Sequence, residues 1–120
     1  MQGNCHCKAI KFETTATPYW IGACYCSDCQ KISGSTHLIF AGFKKNQFKI
    51  LQGTPKEYVS SSEVTRSFCQ KCSSLIMFVY KKSPNDVFIP TGIFDNPAFL
   101  EPQEHIFVSE KPPWVKLDTK

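Results

Sequence analysis

The chain has 120 residues, a formal charge of +4 and seven cysteines. That length fits one domain with a core of modest depth, and no apolar stretch approaches the ~20 residues that span a bilayer. The odd cysteine count excludes a complete disulfide framework within one chain, and the start, Met1-Gln2-Gly3-Asn4-Cys5, has no basic region followed by an apolar run.

A reducing compartment, the cytoplasm, is the expected setting, and clustered cysteines there are more often metal ligands or reactive thiols than disulfides. The charge also needs correcting for metal. Seven thiolates remove seven charges and two Zn²⁺ return four, which leaves +1 from the formal +4. The correction argues against nucleic acid as a partner. Lys44-Lys45 and Lys81-Lys82 then read as loop charges rather than a phosphate surface.

Taken in order, the pattern is mostly β. Residues 7–14 alternate, with Ile10 and Phe12 on one side and Lys11 and Glu13 on the other, which predicts a half-exposed strand starting at the first cysteine pair. Tyr19-Trp20-Ile21 is β-prone and leads into Cys24. Ser27 reads as a helix N-cap with Gln30 as its capping-box partner and Gly34 as the C-cap, which predicts one short helix near 27–33. Cys29 falls in its first turn, with Cys24 and Cys26 on the loop before it. The helix start is expected to favour thiolate there.

Strands are then expected over 37–41, 47–51, 56–60 and 64–68, separated by turn signals at Gly42, Lys45-Asn46, Gly53-Thr54-Pro55 and Ser60 to Ser62. Leu75 to Tyr80 is nearly continuous apolar and is expected to be the most buried strand. Val87-Phe88-Ile89 and His105 to Val108 follow, and Pro112-Pro113-Trp114 is read as an extended tail lying on the body.

Every cysteine belongs to one of three clusters: Cys5-His6-Cys7, Cys24-Tyr25-Cys26-Ser27-Asp28-Cys29, and Cys69-Gln70-Lys71-Cys72. Zn²⁺ favours four ligands in a tetrahedron. Cys5, Cys7, Cys69 and Cys72 supply four, and a metal between them would tie the amino end to the middle of the chain. Cys24, Cys26 and Cys29 supply three. The fourth position is open to water, to a substrate or to a side chain, for which His6, His37, His105 and Asp28 are available. A thiolate-rich open site suits another sulfur better than hydroxide generation. The trio also admits a closed Cys₃His site without chemistry, or a redox dithiol at Cys26 and Cys29. Trp20 and Phe94 are candidates to shield a cleft.

These motifs resemble the glutathione-dependent formaldehyde-activating enzyme family, which includes centromere protein V-like members. The resemblance rests on Gly3-Asn4-Cys5-His6-Cys7, the Cys24–Cys29 cluster followed by Lys31 and Ser33-Gly34, and Phe68-Cys69-Gln70-Lys71-Cys72. It continues through Gly92-Ile93-Phe94-Asp95-Asn96-Pro97, His105-Ile106-Phe107 and Pro113-Trp114. Ser73 stands where many members have glycine. The resemblance covers nearly the whole chain, in order, and implies one domain over 1–120 with the Mss4-like fold, a complex of small antiparallel sheets pinned by zinc. It implies a structural zinc on Cys5, Cys7, Cys69 and Cys72, and a catalytic zinc on Cys24, Cys26 and Cys29, the second expected to be the more labile. The activity implied is a carbon–sulfur lyase joining glutathione and formaldehyde as S-hydroxymethylglutathione. Glutathione is anionic, and Lys31 and Arg66 are the cations the sequence offers it. The alternative is a non-catalytic, zinc-stabilised interaction module of the same fold.

Overall fold

The structure is a computed structural model that describes residues 1–117. Ten strands form two sheets. In chain order they are β1 (Gln2–Asn4), β2 (Lys11–Thr14), β3 (Trp20–Cys24), β4 (Leu38–Lys44), β5 (Phe48–Gln52), β6 (Lys56–Val59), β7 (Val64–Phe68), β8 (Leu75–Tyr80), β9 (Asp86–Pro90) and β10 (Glu104–Ile106). One α-helix, α1 (Ser27–Ser33), lies between β3 and β4. The smaller sheet has the order β1-β2-β5 and the larger β10-β3-β4-β9-β8-β7-β6. All pairings are antiparallel except that of β10 with β3. The mostly β class with a single short helix is as expected. None of the helices among the described residues is long and apolar enough to cross a membrane.

The central strands of the larger sheet are buried on both faces, and strand alternation sorts their residues. Ile21, Ala41, Phe43, Val87 and Ile89 point one way and pack with Phe12 of the smaller sheet in the main core, which Phe94 and Leu100 complete. Cys24, Phe40 and Phe78 belong to the second packed cluster, with Trp20, Val64 and Phe88 against it. Here Phe40 meets Phe78 edge-on with ring centroids 4.8 Å apart, and Phe78 stacks on Phe88 at 5.4 Å. This aromatic face carries the three-cysteine cluster.

Several elements differ from their sequence readings for identifiable reasons. The first long strand begins only at Lys11, because residues 5–10 form a turn closed by Cys5 N–H donating to Ile10 O at 3.0 Å and Lys8 N–H donating to Cys5 O at 3.0 Å. The short β1 pairs with β2 from the other side of that turn. Gly42 does not end a strand. β4 runs through it, and the missing side chain leaves room for the Tyr19 ring, which a Cβ there would meet at 2.9 Å. Leu75 to Val79 alternates between half-buried and buried and Tyr80 is exposed, whereas four successive residues of β3 and of β4 are buried. Trp114 does not pack on the body, its surface being 70% exposed.

Candidate metal centres

The four-sulfur cluster joins two turns far apart in sequence. Cys5 and Cys7 come from the turn between β1 and β2, and Cys69 and Cys72 from the knuckle between β7 and β8. The Sγ atoms of Cys5 and Cys7 are 3.6 Å apart, and those of Cys7 and Cys69 are 3.7 Å apart. Four sulfurs about 2.3 Å from one Zn²⁺ in a tetrahedron would stand about 3.8 Å from each other, so the residues fit that ion. Outer contacts set the ligands. The Ile10 amide donates to Cys5 Sγ at 3.3 Å, and Ser74 Oγ lies 3.2 Å from Cys72 Sγ while accepting the His6 amide at 3.0 Å. The Ser74 hydroxyl, helped by the Ser74 and Cys7 amides, brings the Cys72 thiol down to about 5, which favours the thiolate that metal binding needs.

The knuckle turns through Ser73 at φ 68°, in the left-handed region. A side chain there costs on the order of 1 kcal/mol, and glycine carries no such penalty. Ser73→Gly should therefore stabilise the fold by up to about 1 kcal/mol, part of it offset by glycine's freedom in the unfolded chain. A denaturant midpoint equal to or below that of the parent would show that the Ser73 backbone is not strained.

In the three-sulfur cluster, Cys24 is the last residue of β3 rather than a loop residue, Cys26 precedes α1, and Cys29 lies in its first turn. The three Sγ atoms all lie within 4.8 Å of one another. The helix cap is Cys26, not Ser27. Cys26 Sγ accepts the Cys29 amide at 3.4 Å, in the place a serine hydroxyl takes in an ordinary cap. Gln30 donates instead to Tyr25 O and Glu110 O, at 2.8 and 2.9 Å. Gly34 ends the helix at φ 62°, as its position suggests.

The helix start does not lower the thiol pKa of Cys29 or of Cys24. Burial first, and the neighbouring sulfurs after it, push Cys29 well above the ordinary thiol range, and burial pushes Cys24 up as well. Three ionised sulfurs so close together repel one another unless a divalent cation sits among them. The trio is therefore fitted to a metal rather than to a free nucleophilic thiolate.

Among the described residues, no His, Asp or Glu joins the trio as a fourth ligand. Asp28 and His6 are exposed. His37 and His105 instead flank Tyr25, a residue that the sequence reading overlooked. The Tyr25 ring stacks on His37 with centroids 4.8 Å apart, and its hydroxyl lies 3.2 Å from His105 Nδ1. The Tyr25 amide donates to Ile106 O at 3.1 Å. Tyr25 is therefore the pin that fastens the cysteine loop to β10. An aromatic residue between two clustered cysteines was the available signal.

Burial, and then the charge of His105, hold the His37 pKa below its ordinary value. The folded state thus prefers neutral His37 more than the unfolded chain does, for which about 6.5 is usual. The contribution to stability is complete above that value and is lost as pH falls through the lower folded value. Between pH 8 and 5, the wild type should lose more stability than His37→Gln. Parallel denaturation curves would show that His37 contributes nothing to acid sensitivity.

Trp20 walls the trio. It lies on the same face of β3 as Cys24, its indole fills the space over Gly22, where a Cβ would collide with it, and its Nε1 donates to Glu104 Oε1 at 2.7 Å. Phe94 does not shield this site. It packs edge-on against Phe12, centroids 5.1 Å apart, in the main core. Phe40 and Phe78 occupy that role instead.

With this geometry in hand, comparison with known proteins is informative. A Schizosaccharomyces pombe protein named as an uncharacterized lyase is 27% identical over 111 residues, covering 92% of this chain and 80% of its own length. A crystal structure of a Rhodobacter sphaeroides protein superposes with a TM-score of 0.71 at 20% identity, over 88% of this chain and 99% of that one, and shares its fold. The profile of the glutathione-dependent formaldehyde-activating enzyme family matches residues 1–110, and the chain belongs to that family.

Proposed function

We propose that this chain is a zinc-dependent carbon–sulfur lyase acting on a glutathione-like thiol and a small aldehyde, as in S-hydroxymethylglutathione formation. Cys5, Cys7, Cys69 and Cys72 would hold a structural zinc, and Cys24, Cys26 and Cys29 a catalytic one. The observation that carries this reading is the contrast between the clusters: one is complete with four sulfurs, and the other stops at three. Family membership and the lyase-named yeast relative support the reaction class.

When bound by the trio, zinc supplies a Lewis-acid position at which a substrate sulfur can be held as thiolate. The protein's part is to prepare that position. Cys24 is fixed by strand pairing, Cys26 by its helix-cap contact and Cys29 by the first turn of α1. Trp20, Phe40 and Phe78 keep one side of the trio apolar, which strengthens the attraction between sulfur and cation. In the forward direction the thiolate forms a C–S bond to the aldehyde carbon, the C=O π bond breaks, and the carbonyl oxygen takes a proton.

The test is native mass spectrometry of the purified chain, followed by a glutathione and formaldehyde assay. Two zincs per chain and turnover lost on selective removal of one are expected. Full turnover without metal at the trio, or none in the two-zinc protein with any thiol and aldehyde pair, would overturn the reading.

A further inference from the structure

Arg66 is the least explained charge in the molecule. It lies on β7 directly opposite Tyr58 of β6 and Phe78 of β8. Its surface is only 6% exposed, yet Nη1 has no hydrogen-bond partner, and the described residues contain no carboxylate paired with it. Its one polar contact runs from Nε to Ser60 Oγ at 3.3 Å, and its Cζ sits 5.0 Å from the Phe78 ring centre. A buried guanidinium is costly unless an anion meets it.

Arg66 lines a groove of about 400 Å³ whose apolar walls include Ile32, Tyr58, Phe68 and Leu75, with Lys56 as a second cation. Glu57 also borders it, but strand alternation turns that side chain towards the opposite face of β6. Two residues link the groove to the three-sulfur cluster, Ile32 in its wall and Phe78 beneath the Arg66 guanidinium. Ile32 follows Cys29 by about one turn of α1, and Phe78 belongs to the packed cluster that contains Cys24 and Cys29. Lys31, the other cation the sequence offered, is exposed on the helix.

We propose that Arg66 is the carboxylate anchor of the thiol substrate: a carboxylate-bearing thiol lies in this groove with its sulfur at the trio and its carboxylate on the Arg66 guanidinium, whose buried Nη1 has no partner among the described residues. The inference rests on reading the trio as the place where the substrate sulfur is held. It selects carboxylated thiols over neutral ones of equal reactivity.

The experiment uses the zinc-loaded full chain and two readouts. S-methylglutathione, whose blocked sulfur cannot be held as thiolate, reads the anchor alone by titration calorimetry. Arg66→Met should weaken its binding roughly 10- to 100-fold, the range for losing a hydrogen bond to a charged group. With formaldehyde as co-substrate, the same variant should lose a similar factor in kcat/KM for glutathione, mainly through KM, and little for 2-mercaptoethanol. If Arg66→Met does not fold, Arg66→Lys serves: it keeps the charge but not the planar fork, and an intermediate loss confined to glutathione is expected.

Equal losses for both thiols would overturn the proposal, because a structural or charge-balancing arginine predicts them. Absence of S-methylglutathione binding to the wild type, or unchanged binding in the variant, would also overturn it. Arg66-dependent binding without turnover of any thiol would leave the anchor standing and remove the lyase reading. Turnover indifferent to Arg66 would do the reverse.

Discussion

Cys69→Ser is expected to lower the unfolding free energy by about 4 kcal/mol or more, and treatment of the wild type with a strong zinc chelator should do the same. Cys69 would do more than supply a ligand on a surface knuckle. It is buried with Cys5, Ile10 and Ile76 in a packed cluster of its own, and its contact with Cys7 joins positions 62 residues apart. Without a metal, this corner would keep that apolar packing, but its sulfurs would lose the reason to converge. A ligand present at 1,000 times its Kd stabilises the folded state by about 4 kcal/mol, against a typical total of 5–15 kcal/mol. Denaturant unfolding with and without chelator measures the effect. A chelator-insensitive wild type, with Cys69→Ser superimposed on it, would mean that the four sulfurs pack without a structural metal.

The part of this fold that was legible in the sequence is the part specified locally. The β7–β8 hairpin and its Cys69–Cys72 knuckle follow from apolar, β-prone runs and a short spacing, and α1 from its terminal glycine, although its cap lies one residue before the one the sequence suggests. What escaped is set by partners distant in sequence. β10 reaches β3 across about eighty residues and lies parallel to it, pairing Ile106 with Cys24, and three residues of mixed character give no sign of that. Gly42 reads as a turn only because the sequence does not reveal that Tyr19 will cover it.

The candidate sites divide in the same way. The two cysteine sets were legible because thiolate ligands come in recognisable spacings, and the spatial grouping matches the partition by ligand count. The surroundings were less so. Phe94 and Phe40 are equally aromatic in sequence, and only the face of the sheet decides which one meets the trio. Arg66 did leave a signal that alternation could have used: it shares its face with Val64 and Phe68, both apolar, and that points to a buried cation.

The second large effect separates the two tasks of Cys26. In Cys26→Ser the hydroxyl can still accept the Cys29 amide, because serine is among the preferred helix caps, so α1 should survive. The substitution removes a soft thiolate from a set of only three. Loss of an outer-shell partner of a metal ligand typically costs 10–100-fold in affinity or activity. Loss of the ligand itself should exceed about 100-fold in turnover, with one zinc retained at the Cys5 site and thermal unfolding little changed. Cys29→Ser makes the useful contrast. Its side chain is buried beside Phe40 and Phe78, and an uncompensated hydroxyl there costs about 1–3 kcal/mol, so this variant should lose both turnover and stability. If Cys26→Ser instead kept full turnover with only one zinc bound, the trio would not be the reacting centre. If it unfolded as readily as Cys29→Ser, the Cys26 sulfur would be holding the fold through the metal as well as through the cap, and the helix could not be treated as independent of the ion.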